Sequence, residues 1–301
     1  MSSPSSNAAT LGRLLAENRC HRVPCAWDAL SAKMIGDAGF PFTFMSGFAV
    51  AAARLGEPDL GLISYAEMAD QVRNIAAATP IPVIADGDTG YGNALNVERT
   101  VKGYAQAGAA AIMIEDQLAP KRCGHTKGKL VVERAEAVDR IKAAVHAREA
   151  VRKSGGDILI LARRDARGTH DLDEALWRAA AFKAAGADIL FVEAPQSEAE
   201  MARITKEVPG IHMANLVEGG TTPIPSMERL GALGFRLAIF PLTLLSAAMR
   251  AIEASLADMQ AGRHPDEQRL IGFEAIKRIA GFDAYYAAEQ RYAGTRKAAA
   301  E

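Results

Sequence analysis

The 301-residue chain is 49% hydrophobic and 24% charged, a balance that excludes a disordered tail, a collagen and a small disulfide-stapled module. Thirty-five basic residues against 36 acidic ones leave a formal charge of −1, which offers no field for nucleic acid or an anionic membrane. The three cysteines (Cys20, Cys25 and Cys123) make neither a CxxC nor a zinc-spaced cluster, and no signal-peptide pattern or 18-residue uncharged apolar run occurs, so reduced thiols and a cytoplasmic location are expected.

Short apolar runs predict strands at residues 21–27, 42–47, 82–88, 110–116, 157–165, 188–194, 211–217 and 235–241. Alanine-rich stretches predict a helix after each, at 29–38, 64–78, 93–107, 133–153, 172–185, 197–208, 226–233 and 244–262. Eight such repeats close a (β/α)8 TIM barrel. The unbroken apolar run Ile158-Leu159-Ile160-Leu161 suits a strand covered on both faces. Gly108, Gly186 and Gly234 stand where a helix ends through a left-handed residue. No GxGxxG or GxxxxGK[ST] follows a strand, which sets aside a doubly wound nucleotide-binding sheet. The barrel is expected over residues 1–262 and a helical arm over 263–301. The arm's apolar residues, Phe273, Ile276 and Tyr285 among them, call for burial against another subunit.

Chemistry in such a barrel gathers at the carboxyl ends of the strands. Asp86 and Asp88 are two apart and read as sharing one strand face, Glu115 and Asp116 end the fourth strand, and Glu193 ends the sixth. Converging carboxylates repel unless they are protonated or share a cation, and an all-oxygen set suits Mg²⁺, with Mn²⁺ as the alternative. A lone DxD could equally do no more than turn the loop through side-chain to backbone bonds. Arg163 and Arg164 alternate in direction, which predicts that Arg164 faces the helices as an ion-pair partner. The basic run 148–153 reads as a solvated helix end.

Residues 117–132 exceed the ~2–6 residues of an ordinary βα joint and are a lid candidate. Lys121, Arg122, His125, Lys127 and Lys129 surround Cys123 in sequence, and cationic neighbours favour a reactive thiol. Cys20 and Cys25 read as small core residues.

The segments SGFAVAAARLGEPDLGLIS (46–64), ADGDTGYGN (85–93), IEDQ (114–117), PKRCGH (120–125), LARRD (161–165), FVEAP (191–195) and NLVEGG (215–220) together resemble the isocitrate lyase / phosphoenolpyruvate mutase superfamily. The resemblance implies a barrel whose C-terminal helices swap between the subunits of a homotetramer. It also implies Asp86 as the Mg²⁺ ligand, with Asp88, Glu115 and Asp59 nearby through water. Ser46, Gly47 and Phe48 would hold a substrate carboxylate, and Arg163, Glu193 and Asn215 would contact the substrate. Cys123 with Gly124 resembles the carbon-carbon lyase branch, whereas the mutases carry Asn and Ser in this loop; His125 would belong to the closed lid.

The activity implied is Mg²⁺-dependent cleavage of the C2–C3 bond of a substituted malate to an α-keto acid, with Cys123 moving the proton. Ser246 and Phe273 stand where methylisocitrate lyases have arginines for a third carboxylate, which favours a 2,3-dimethylmalate-like over a 2-methylisocitrate-like substrate. Phe44 replaces a tyrosine near the reacting hydroxyl and leaves the general base unassigned. Pro241 replaces a serine of oxaloacetate hydrolases. The alternatives are a carboxyphosphonoenolpyruvate phosphonomutase-like enzyme, an oxaloacetate hydrolase or decarboxylase, and a non-catalytic barrel that binds a keto acid.

Overall fold

A computed structural model describes residues 4–124 and 128–292. Its elements run α1 (Pro4–Leu15), β1 (His21–Ala26), α2 (Ala29–Asp37), β2 (Thr43–Met45), α3 (Gly47–Leu55), α4 (Tyr65–Ala78), β3 (Val83–Asp86), α5 (Ala94–Ala107), β4 (Ala111–Glu115), α6 (Arg134–Lys153) and β5 (Leu159–Arg164). They continue with α7 (Ala166–Thr169), α8 (Leu172–Ala184), β6 (Ile189–Val192), α9 (Glu198–Glu207), β7 (Ile211–Asn215), α10 (Met227–Ala232), β8 (Phe235–Phe240), α11 (Thr243–Gln260), α12 (Phe273–Ala280) and α13 (Phe282–Gln290). All eight strands pair in parallel in sequence order and β8 closes on β1, which makes the expected (β/α)8 barrel.

Local chemistry sets the helix boundaries. Asp28, Ser64 and Asn93 open α2, α4 and α5 with reciprocal capping boxes, which satisfy backbone N–H groups the first turn leaves over. Gly108, Gly186 and Gly234 adopt φ of +101°, +104° and +98°, the left-handed ends read from the sequence.

The barrel interior is filled by Val23, Phe42, Phe44, Ile84, Met113, Leu161, Phe191, Met213 and Leu237. Leu11 and Leu15 of α1 join this cluster, so α1 packs on the barrel interior; the sequence reading had assigned this segment no element. Truncating a leucine so buried costs ~2–5 kcal/mol. A second layer, which includes Met68, Val72, Val101 and Ile141, packs the helices onto the sheet.

Two expectations about arginines are corrected. Arg148 is buried, and its Nη1 donates to Asp188 at 2.6 Å and to the Gly186 carbonyl at 3.0 Å, so this end of α6 is anchored by an ion pair. Arg164 is fully buried but makes no ion pair among the described residues; its Nη1 donates to the Ala162 carbonyl at 3.2 Å. Burial lowers its pKa to about 9.

The chain divides into two compact units, residues 1–245 and 246–301, and α11 runs through the division. In the second unit, α12 and α13 meet at left-handed Gly281 (φ +92°). Phe273, Ile276, Tyr285 and Tyr286 on these helices are exposed. Among the described residues no helix is long and apolar enough to cross a membrane.

Candidate active site

Ser46 follows β2, Asp86 ends β3, Glu115 ends β4, Arg163 is the penultimate residue of β5, Glu193 follows β6 and Asn215 ends β7. Parallel pairing brings these positions to one mouth of the barrel. A cavity of about 230 Å³ opens there, smaller than the ~300–1,000 Å³ that takes drug-sized ligands. Ser46, Phe48, Asp59, Asp86, Cys123, Gly124, Arg163, Glu193 and Asn215 line it, so most of the sequence-nominated residues meet in one place. Its remaining wall is apolar: Phe44, Met113, Phe191, Val217, Ile239, Pro241 and Leu242. Gly47, Asp88 and Glu115 support the lining without forming it, and His125 and Lys127 lie outside the described residues.

The segment after β2 is helix α3, which the sequence reading left without an element. Ser46 caps it, its Oγ accepting from the Ala49 N–H at 3.3 Å, and the Gly47 N–H donates to Asp86 Oδ2 at 3.2 Å. The start of α3 is thereby tied to the carboxylate that ends β3.

Asp86 and Asp88 do not share a strand face. The strand ends at Asp86, and Asp88 sits beyond it in left-handed backbone, φ +48°. Its N–H donates to Asp86 Oδ1 at 3.0 Å, so the turn-forming role of the DxD is real. Among the described residues the non-glycine positive φ values are those of Asp88, Tyr91 and Ala194, all after β3 or β6. Such strain costs on the order of 1–3 kcal/mol per residue and clusters where function demands it. Tyr104, which the sequence reading passed over, donates from its Oη to the Asp86 carbonyl at 3.0 Å and pairs with Tyr91 Oη at 3.2 Å.

Arg163 is gripped by Asp165, Nε to Oδ2 at 2.8 Å and Nη2 to Oδ1 at 3.0 Å, with Glu115 Oε2 at 3.3 Å and Glu193 Oε2 at 3.4 Å. Asn215 Nδ2 donates to Glu193 at 3.3 Å. Two of the loop cations, Lys121 and Lys129, are paired with buried acids. Lys121 lies 2.5 Å from Asp59 and 2.8 Å from Asp88, while Lys129 lies 2.9 Å from Asp165. Unlike charges attract strongly in a buried site, so these ammonium groups turn inward to the acids. Gln117, fully buried, fastens the loop, accepting from the Arg122 N–H at 2.9 Å and donating to its carbonyl at 2.8 Å.

Among the described residues six carboxylates (Asp59, Asp86, Asp88, Glu115, Asp165, Glu193) therefore face three cations, Lys121, Lys129 and Arg163. Burial, with Asp88 as the next cause, pushes Asp86 up to about 6, and burial pushes Glu115 well above the ordinary range. Glu115 Oε1 is buried with no hydrogen-bond partner. Among the described residues no three His, Cys, Asp or Glu side chains form an all-protein metal cage. Mg²⁺ needs no such cage, since one or two carboxylates and retained waters suffice. The acids gathered at this mouth and the orphaned Glu115 oxygen fit a hard divalent cation.

Residues 11–260 match the family model described as phosphoenolpyruvate phosphomutase. The chain belongs to this family. It is 41% identical over 295 residues to a 2,3-dimethylmalate lyase of Eubacterium barkeri, covering 96% of this chain and 99% of the relative. It is 40% identical over 292 residues to a chloroplastic carboxyvinyl-carboxyphosphonate phosphorylmutase of Arabidopsis thaliana, covering 95% and 85%. The crystal structure of a 2,3-dimethylmalate lyase, a PEP mutase/isocitrate lyase superfamily member, superposes with a TM-score of 0.90 at 34% identity, covering 97% of this chain and 96% of that one. The chain is thus a lyase of the PEP mutase/isocitrate lyase superfamily, as the sequence motifs indicated.

Proposed function

We propose that the protein cleaves the C2–C3 bond of a small substituted malate, with 2,3-dimethylmalate the best fit, releasing pyruvate and propionate. The observation that carries this reading is the mixed lining of the cavity: acids, Arg163 and Cys123 together with Phe44, Phe191, Val217, Ile239 and Leu242. A methyl-bearing dicarboxylate matches this lining, because its carboxylates need polar partners and its methyl groups need apolar ones.

Asp86, with Asp88, Glu115 and Asp59, would hold Mg²⁺, which when bound neutralises these acids and stabilises oxygen charge on the substrate. Ser46 and the N-terminal backbone of α3 orient one carboxylate. Phe44 offers no proton acceptor, so the substrate hydroxyl proton leaves toward the carboxylates that share the cavity, Asp59, Asp86 and Glu193. The C2–C3 electron pair passes to C3 and on into the carboxylate beside it. Arg163 stabilises the charge that develops there. The Cys123 thiol then protonates C3; before the next turnover the carboxylate that took the hydroxyl proton releases it to solvent and the thiolate regains one.

The exposed apolar residues of α12 and α13 support the further reading that this arm packs on another copy of the chain. Steady-state pyruvate release from 2,3-dimethylmalate and 2-methylisocitrate, and oxalate release from oxaloacetate, each with and without EDTA, test the activity. The expected outcome is EDTA-sensitive release that is fastest with dimethylmalate. Phosphorus NMR of phosphonate substrates tests the rival phosphonomutase activity.

A further inference from the structure

Lys129 bridges two parts of the site that the sequence does not connect. Its Nζ, buried, donates to the Gly124 carbonyl at 2.6 Å and to Asp165 Oδ1 at 2.9 Å. The same Asp165 oxygen accepts from Arg163 Nη2 at 3.0 Å, so one carboxylate serves both cations. Asp165 is itself immobilised, because its N–H donates to Asp116 Oδ1 at 2.9 Å and Asp116 Oδ2 pairs with Arg178 at 3.0 Å. Gly168 leaves room for the lysine; a β-carbon there would lie 2.8 Å from Lys129 Cε. At the other end Gly124 rests directly on the pair it is held against. A β-carbon at Gly124 would lie 2.6 Å from both Arg163 Nη2 and Glu193 Cδ.

We propose that Lys129 and Asp165 are a positioning pair that sets the Cys123 thiol relative to the Arg163 guanidinium. In the proposed cleavage these two groups act on the same developing carbanion, one by donating a proton and the other by stabilising charge. Neither Lys129 nor Asp165 lines the cavity, so both act through their neighbours. Separate elements, the loop after β4 and the end of β5, are thus registered by one buried ion pair. The inference rests on the lyase reading for its kinetic consequence but not for its structural one.

The test is the rate at which iodoacetamide alkylates each cysteine, followed by peptide mass spectrometry on the intact Mg²⁺-supplemented protein. Cys20 and Cys25 are buried and serve as internal controls for folding. Lys129→Met should raise alkylation of Cys123 by about tenfold or more while Cys20 and Cys25 stay unmodified, and Lys129→Arg should restore most of the protection. Asp165→Asn should show the same selective rise. With any malate that the wild type cleaves, kcat for Lys129→Met should fall on the order of 100-fold with KM within about threefold, the pattern of misplacement rather than lost binding. Unchanged Cys123 alkylation in both Lys129→Met and Asp165→Asn would overturn the proposal. So would a parallel rise at Cys20 and Cys25, which would make the pair a general stability element. Absence of malate cleavage by the wild type would refute the malate-cleavage reading and leave the alkylation result decisive for the pair.

Discussion

Lys121 Nζ lies 2.5 Å from Asp59 Oδ1 across 62 positions of sequence, and 2.8 Å from Asp88 Oδ1. An ammonium from the loop after β4 thus supplies much of the positive charge in the acid cluster. Removing it strands buried carboxylates, a loss of ~3–5 kcal/mol when one partner of a buried pair is deleted. Lys121→Met should therefore lower unfolding free energy by about 3 kcal/mol in urea titrations. Added Mg²⁺ should recover more stability in the variant than in the wild type, because a divalent ion binds tighter where the competing ammonium is gone.

Cys123 is the proton donor in the proposed cleavage and is only half-buried. Cys123→Ser should cut kcat by about 10²–10⁴, the usual contribution of a positioned acid, while unfolding free energy stays within about 0.5 kcal/mol. Steady-state assays beside urea melts check both halves. Wild-type turnover in the variant would remove the thiol from the mechanism.

Gly124 has no space for a side chain, since its added β-carbon would collide with Arg163 and Glu193 at 2.6 Å. Gly124→Ala should lower kcat/KM by about 100-fold by displacing that pair. A crystal structure of the variant should show the Arg163 guanidinium moved off Glu193.

His212 titrates far from the mouth. It is buried in β7, its Nε2 lies 2.6 Å from the Val208 carbonyl, and burial, with the Arg164 charge, lowers its pKa from 6.5 to about 4. The fold therefore favours the neutral ring. Its contribution is complete above pH ~6.5 and is lost as pH falls toward about 4, a change of roughly 3 kcal/mol at ~1.4 kcal/mol per unit. Urea titrations between pH 4 and 7.5 should show a steeper loss for the wild type than for His212→Gln.

The barrel was legible because its signals are local: period, apolar runs and glycine stops fix eight strands and their helices. α3 was not, because Gly47-Phe48-Ala49-Val50 gives no polar face, and its buried side is decided by packing on the barrel. Strand ends nominated Asp86, Glu115 and Glu193, since position on a parallel strand fixes which mouth a residue reaches, and the family resemblance added Arg163 and Asn215. The pairing of Asp86 with Asp88 was misread because alternation holds only inside a strand and the left-handed turn at Asp88 lies past its end. Lys129–Asp165 and Lys121–Asp59 span 36 and 62 positions, distances at which spacing carries no contact information.

Carbon-13 and proton NMR of 2,3-dimethylmalate incubated with the Mg²⁺-supplemented protein in D₂O reads the bond that is cleaved and the carbon that is protonated. Cleavage between C2 and C3 with protonation by Cys123 gives pyruvate and propionate in equal amounts, with one deuterium at C2 of propionate, and neither product from Cys123→Ser on the same timescale. Undiminished substrate, with turnover of a phosphonate in its place, would contradict it.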